Sequence, residues 1–585
     1  MNDLKTKAEK LLSSWCNALK SHQVMGIDDK KIDGAILCPA CHLMHGRAFE
    51  SILPFFWMKR HTGESEWEER AERIFFWADR TLSNPDGSWR NDKGSDWLGT
   101  TVFNAIAIAD TLIHFSDEMK SDFRSALVER LEKAESFLKG RTSLKNNNIN
   151  YPITNALALE LGARILGDES LSTAARDFLS VLDDALMPSG LIIGEGIPRS
   201  KVSEKGCRSF DVGYNIEESI PALMRYADLT GDIELKKKAQ RILERHMMFF
   251  LDDGGWDNSM GTRNFKWTYW GSRTSDGCLP ALLSCAEENA YYWSAAEKCL
   301  DMYGRCTSNG LLHGGPGYIE MEENACIHHT FEHAKMLSSC LLEGLFDITP
   351  AEKSIEVGRF QPGLHERIDE TATHINTGLE YTSTVTFYDW GYKGLNSGHV
   401  SGGTMSLLYW KGNGPLLVAG MGEYTRREVY NMQVPRPCYR HECLDMRIEK
   451  EVEGRILSSM YDTEAKEEVE GNTITATGHL RDKEGSTDGA DTYSFRYTFD
   501  MDKVEIETSA SSGYMVLPII TEKDDNISVE NNTIAITRNG KKVEIGFSAP
   551  FTLPYGRERI FNLIPGFPAL KVELAAGSSI TFRFK

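Results

Sequence analysis

The feature that most constrains this chain is a change of period part-way along it. Through about residue 346, apolar residues recur at helical spacing in segments of ordinary helix length. The candidates run roughly over 3–21, 42–60, 65–83, 98–115, 119–139, 151–166, 168–185, 214–230, 232–251, 276–289, 291–306 and 325–343. From about residue 381 the period becomes two, as in YTSTVTFYDW (381–390), TMSLLYW (404–410) and KVEIETSA (503–510). Asn539-Gly540, set between ITR and KKVEI, is a strong two-residue hairpin signal. Helices arranged in pairs followed by many strands describe a chain of two architectures. The boundaries are 1–346 for a helical domain, 347–380 for a linker or the start of the sheet domain, and 381–585 for an antiparallel sheet domain of two stacked sheets.

Gly167-Asp168 and Gly231-Asp232 interrupt consecutive helices with the same Gly-Asp turn, a weak internal repeat of helical hairpins. About a dozen helices make six hairpins, in a closed (α/α) toroid or an open solenoid. Two inter-helix loops, 186–213 and 252–275, are long, Gly-rich and full of polar and aromatic groups. Loops of that length in a compact domain are usually functional.

Charge excludes some functions. The 585 residues carry 65 Lys plus Arg against 85 Asp plus Glu, a formal net charge of −20. A nucleic-acid partner is disfavoured, because neutralising phosphates needs a basic face. No apolar run reaches the roughly 18–20 residues that span a bilayer, so no membrane partner is expected. The N-terminus reads as an amphipathic helix, which points to the cytoplasm for the chain as given, or to the periplasm or exterior if a signal peptide has been removed. The twelve cysteines scatter through helical segments like small core residues in a reducing compartment. Only Cys38-Pro-Ala-Cys41-His42 looks like a ligand cluster. It has no second Cys pair at zinc-finger spacing, so a structural divalent metal is not supported and no metal ligands are assigned.

Five clusters could carry chemistry. The densest, 254–277, places Trp256, Trp267, Tyr269 and Trp270 beside Arg263, Lys266 and Arg273. Aromatic faces stack on sugar rings and guanidinium forks grip carboxylates; the plainer alternative is an aromatic plug closing the helical domain. In the second, Tyr214 and Asn215 stand at a helix head, with Glu218 three residues past Asn215 and so on its helix face; a capping box would account for the same pair. His399 lies in a Gly-rich loop before a strand, suited to proton transfer at neutral pH. His329 and His333, at i and i+4, have the spacing of a metal pair, but without the HExxH order they read better as a polar helix face lining or capping the toroid. His45 and Arg47 follow the cysteine cluster, and Arg47 could reach an anion. No dinucleotide fingerprint, phosphate loop, nucleophile elbow or HExxH motif occurs.

With these residues in hand, the chain resembles the heparinase II/III-like and alginate-lyase-like polysaccharide lyases. The resemblance implies an N-terminal incomplete (α/α) toroid of about six hairpins, a C-terminal antiparallel β-sandwich-like domain, and substrate between them. Members carry an Asn or His near a helix start and a catalytic Tyr some fifty residues later, as Asn215 and Tyr269 stand here. Some add a Glu matched by Glu218, and a sheet-domain His matched by His399. The implied reaction is β-elimination at a uronic acid, needing no cofactor. Asn215 would neutralise the carboxylate, Tyr269 would act as acid and base with its pKa lowered by Arg263, Lys266 and Arg273, and His399 would be the alternative base. Tyr214, Glu218, Arg263, Trp267, Trp270, Arg273, Arg47, His45 and His329 would bind the acidic polysaccharide or oligosaccharide. The charge of −20 favours a substrate less anionic than a heavily sulfated chain. Two rivals stand beside this: an inverting glycoside hydrolase using two of Asp211, Glu217, Glu218, Asp257 and Asp276, and a non-catalytic glycan binder.

Overall fold

A computed structural model describes every residue except 1–2, 93, 96, 195–198, 392–398, 429–431, 438 and 488. The helical part is a ring of hairpins in which a buried inner helix pairs with an amphipathic outer one. The inner helices are Ile52–Thr62, Thr101–Phe115, Asn150–Leu166, Ile220–Thr230, Leu279–Ser284 and Ile327–Leu342. Their composition dictates the position: 13 of the 15 residues of Thr101–Phe115 are buried, against 7 of 20 in its outer partner Ser121–Gly140. Each inner helix packs on the next, and Ile327–Leu342 touches Ile52–Thr62 to bring the ring round on itself. The sixth outer helix is the first in the chain, Asp3–His22, which packs against Ile327–Leu342.

The Gly-Asp turns work as their residue types require. Gly167 and Gly231 take φ of 68°, the left-handed conformation that ends a helix at no Cβ cost. The carboxylates of Asp168 and Asp232 then cap the following helices, accepting from Ser170 N at 2.9 Å and Leu235 N at 3.0 Å.

Beyond the ring, strands form three antiparallel sheets where two are expected from the sequence. The first is a five-stranded meander: His365–Ile368, Thr373–Thr377, Tyr381–Thr386, Thr404–Trp410 and Gly414–Val418. Its first two strands precede residue 381, where alternation becomes plain in the sequence. Every residue from Thr373 to Thr377 and from Thr404 to Trp410 is buried, because this sheet is covered on both faces. Ile375, Leu407, Tyr409 and Val418 join the core of the ring. Val385, Met405, Leu408 and Trp410 join a second core with Phe495, Ile506 and Ile545 of an eight-stranded sheet. A six-stranded sheet completes the domain. The Asn539-Gly540 turn has φ of 51° and 78° and joins Thr533–Arg538 to Lys541–Phe547 with Arg538 opposite Lys541.

The ring and the middle sheet are also tied by charge. Asp257, in the long loop before Leu279–Ser284, is fully buried and pairs with Arg359 at 2.7 Å. It also accepts from Thr384 Oγ1 on the sheet at 2.5 Å. No helix among the described residues is long and apolar enough to cross a membrane.

Candidate active site

A cleft of about 480 Å³ opens where the heads of the inner helices meet the sheet domain. Its walls carry Arg47, Trp97, Asn147, Asn148, Tyr151, Tyr214, Glu218, Arg263, Lys266 and Thr274 from the ring, and Arg427 and Glu428 from the sheet domain. Four cationic side chains face two carboxylates there, so a chain of net charge −20 presents a locally basic cleft.

The floor is built around Tyr214. Val212–Tyr214 forms a single α-helical turn, capped by the Asp211 carboxylate, and Asn215–Ser219 then continues as a π-helical turn before Ile220–Thr230. The wider i→i+5 turn changes which residues share a face. Tyr214 and Glu218 line the cleft together, whereas Asn215 turns into the ring. The Asn215 amide donates to Ile192 O at 3.0 Å and lies 3.2 Å from His246 Nε2, with no exposed surface. Asn215 and Glu218, expected on one helix face, are separated by the π turn: Glu218 lines the cleft with Tyr214, and Asn215 bonds inside the ring.

The Tyr214 hydroxyl lies 2.7 Å from Thr274 Oγ1 and donates to Arg273 O at 3.1 Å. Lys266 Nζ donates to the same Thr274 hydroxyl at 3.3 Å, so a phenol, a hydroxyl and an ammonium form one chain. The Arg263 guanidinium stands 5.0 Å over the Tyr214 ring. Thr274 has φ of 59°, an uncommon conformation for a β-branched residue. The surroundings hold it there: Arg47 donates to its carbonyl at 2.8 Å. Arg47 is itself buried among Glu50, Asp276 and Glu332, which hold its guanidinium well above its ordinary pKa. Burial lowers the pKa of Lys266 against the opposing pull of Glu428. Glu428 pairs with Lys266 and with Arg263, the latter at 2.6 Å, and so carries the sheet domain's carboxylate to the two cations.

On the outer wall Trp97 is about two-fifths exposed and donates through its indole N–H to Tyr151 OH at 3.0 Å. Gly99 permits this pair; a Cβ there would lie 2.5 Å from Trp97 and 2.7 Å from Tyr151. An exposed indole face at the mouth of a polar cleft suits a sugar ring.

Other expected site residues lie elsewhere. Tyr269 is buried, with its hydroxyl donating to Asp253 Oδ2 at 2.9 Å, and it borders a different cavity. Seven carboxylates and three cations line that cavity, an unfavourable field for a polyanion. Burial and then the Asp253 charge push the Tyr269 phenol well above its usual range, opposite to the lowering expected from neighbouring cations. Two of those cations, Arg263 and Lys266, stand near Tyr214 instead. Trp267 and Trp270 are buried and donate to Trp256 O at 2.9 Å and His313 O at 2.7 Å, as the aromatic plug would have them. The Arg273 side chain bonds Tyr318 and Gln433, leaving only its carbonyl at Tyr214. His329 is buried edge-on to Trp270 and His45 is bonded to Asp92. His399 is buried under Tyr388, whose carbonyl lies 3.2 Å from its Nε2, and desolvation takes its pKa down to about 4. Neither Asn215 nor His399 is among the described residues lining the cleft. The paired carboxylates of a hydrolase are not assembled either. Glu217 accepts from Ser272 N at 2.8 Å, Asp211 caps the Val212–Tyr214 turn, Asp257 is held by Arg359 and Asp276 by Arg47 and Lys335, so of those five candidates only Glu218 lines the cleft. Thr274, Asn148, Tyr151, Trp97 and Glu428 carry no motif in the sequence and emerge only from the fold.

Residues 12–356 match the family described as ulvan lyase N-terminal domain, and residues 370–583 match the ulvan lyase C-terminal domain. The chain belongs to the ulvan lyase family. A broad-specificity ulvan lyase from Formosa agariphila is 31% identical over 592 residues, covering 98% of this chain and 92% of that protein. Among solved structures, heparinase III has a TM-score of 0.54 at 11% identity, over 92% of this chain and 76% of that one. A Streptomyces coelicolor A3 chondroitin AC lyase in complex with chondroitin sulphate has a TM-score of 0.55 at 11% identity, over all of this chain and 80% of that one. These likenesses show the shared toroid-and-sheet fold, and with the ulvan lyase family membership they make the chain a polysaccharide lyase.

Proposed function

We propose that this ulvan lyase family member cleaves a uronic-acid-containing polysaccharide, ulvan being the first candidate, by β-elimination in the cleft between ring and sheet domain. One observation carries the reading: the hydroxyl of the cleft-lining Tyr214 meets the Thr274 hydroxyl that also accepts from the buried Lys266. The C5 proton of a uronate is weakly acidic, and the adjacent carboxylate raises the cost of removing it. Arg263 and Lys266 offset that cost by stabilising the charge that develops on the carboxylate, with Asn147 and Asn148 of the same cleft supplying amide donors. The Tyr214 phenolate, favoured by the same two cations, takes the C5 proton. It returns that proton to O4 as the C4–O4 bond breaks and the C4–C5 double bond forms. No water is consumed, and none of these steps draws on a cofactor. Trp97 stacks on a neighbouring sugar.

The test is incubation of the purified chain with ulvan and with other uronate polymers, following ultraviolet absorbance of the 4,5-unsaturated product. Arg263→Ala should lower kcat/KM by about 10²–10³. New reducing ends without ultraviolet absorbance would indicate hydrolysis and overturn the proposal.

A further inference from the structure

The described residues contain one cluster of metal-ligating side chains outside the cleft, and it lies where the ring closes. Between Asp3–His22 and Ile52–Thr62 the chain folds back on itself. Leu37 and Met44 form an antiparallel bridge, Cys38 N–H donates to Leu43 O at 2.9 Å, and His42 N–H donates to Cys38 O at 3.0 Å. His42 turns the corner with φ of 58° and its side chain is exposed. The turn leaves Cys38 fully buried and Cys41 half-buried beside His45, whose Nε2 lies 3.1 Å from Cys41 Sγ. The ligand atoms of Cys38, Cys41 and His45 all lie within 4.8 Å of one another. The other ring nitrogen of His45 is 3.1 Å from Asp92 Oδ1, the carboxylate–imidazole pairing that orients a ligating histidine.

A fourth donor comes from the far end of the ring. Cys326 is the residue before Ile327–Leu342; it lies beside Cys38 but outside the three-residue group, with its Sγ 3.6 Å from His328 Nδ1. Ile327 N–H donates to Cys38 Sγ at 3.4 Å, the backbone-to-sulfur contact of a thiolate knuckle. We propose that Cys38, Cys41, His45 and Cys326 bind a structural zinc ion that staples the closure of the ring. Three sulfurs and one imidazole are a soft donor set suited to tetrahedral Zn²⁺. With Zn–S of about 2.3 Å and Zn–N of about 2.0 Å, the donor atoms of such a site stand roughly 3.5–3.8 Å apart; Cys38, Cys41 and His45 already lie within 4.8 Å of one another, and Cys326 would move in from outside that group on binding. A disulfide would use two thiols and strand the third beside His45; a metal uses all four donors. Four protein ligands leave no open position, so the ion holds structure and takes no part in the elimination. Its mechanical reach is clear, because Arg47, which secures Thr274, is two residues beyond His45.

Metal analysis of the full chain, purified under reducing conditions and incubated with Zn²⁺, should give one zinc per chain. Cobalt substitution should show thiolate-to-metal charge transfer in the near ultraviolet. Cys326→Ser should change that spectrum and weaken zinc binding, and chelation of the unmodified chain should lower Tm and expose three thiols to titration. Asp92→Asn, which leaves all four ligands in place, should weaken zinc binding about 10–100-fold. Absence of zinc after incubation, an unchanged cobalt spectrum in Cys326→Ser, or a Cys38–Cys326 disulfide in the native chain would overturn the proposal.

Discussion

Tyr214 differs from Tyr269 in what its oxygen touches. The Tyr269 hydroxyl rests on a carboxylate, which keeps its proton in place; the Tyr214 hydroxyl meets a threonine that also receives a lysine N–H. If that ammonium promotes the phenolate, Lys266→Met raises the pKa of the Tyr214 phenol. The rising limb of the kcat–pH profile should then move to higher pH, with activity recovering as pH is raised. An unmoved limb would show that Lys266 serves packing alone. The right residue types were legible in the sequence: the aromatic and basic loop and the Tyr-Asn pair do contain Tyr214, Arg263 and Lys266. Which member of each set meets the cleft was not legible. Composition does not distinguish a tryptophan plug from a sugar platform, and the exposed Trp97 had no cluster to mark it.

Elements explain that failure. An α-helical reading puts Asn215 and Glu218 on one face, but the π turn at Asn215–Ser219 leaves no periodic signature to reveal the wider spacing. By contrast, the Gly-Asp turns and the Asn-Gly hairpin are dictated locally, so sequence alone located them. The helix head bearing Tyr214 is seated against the short hairpin Trp267–Thr268 and Gly271–Ser272 by Gly213; a Cβ there would lie 2.7 Å from Ser272 Cβ and 3.0 Å from Gly271 O. Gly213→Ala should therefore push the phenol off its partners. A drop in kcat of about 10²-fold is expected for a displacement near 1 Å, with the far-ultraviolet circular dichroism unchanged. Wild-type kcat in that variant would mean the seating does not position Tyr214.

On the scale of the molecule, the change of period announced both architectures, while the third sheet and the pairing of first and last helices depend on contacts between segments far apart in sequence. Burial also sets how the whole fold responds to acid. His246, His313 and His399 are each taken by desolvation from 6.5 down to about 4. Their unfolded forms bind protons first, so the stability they confer is complete above about pH 6.5 and is lost as pH falls toward 4. Denaturant midpoints measured across that window should fall with acidity, and less steeply in His399→Gln if this residue contributes. A flat response would contradict the assignment of neutral buried imidazoles.

The central claim is that the cleft phenol, and not the buried one, performs the proton transfers. The direct measurement is the rate of unsaturated-product formation from ulvan by Tyr214→Phe and Tyr269→Phe, each checked for a folded state by its thermal transition. Loss of about 10²–10⁴ in kcat for Tyr214→Phe, with Tyr269→Phe within a few-fold of wild type, is the predicted result. Retained activity in a folded Tyr214→Phe, with activity abolished in a folded Tyr269→Phe, would contradict it.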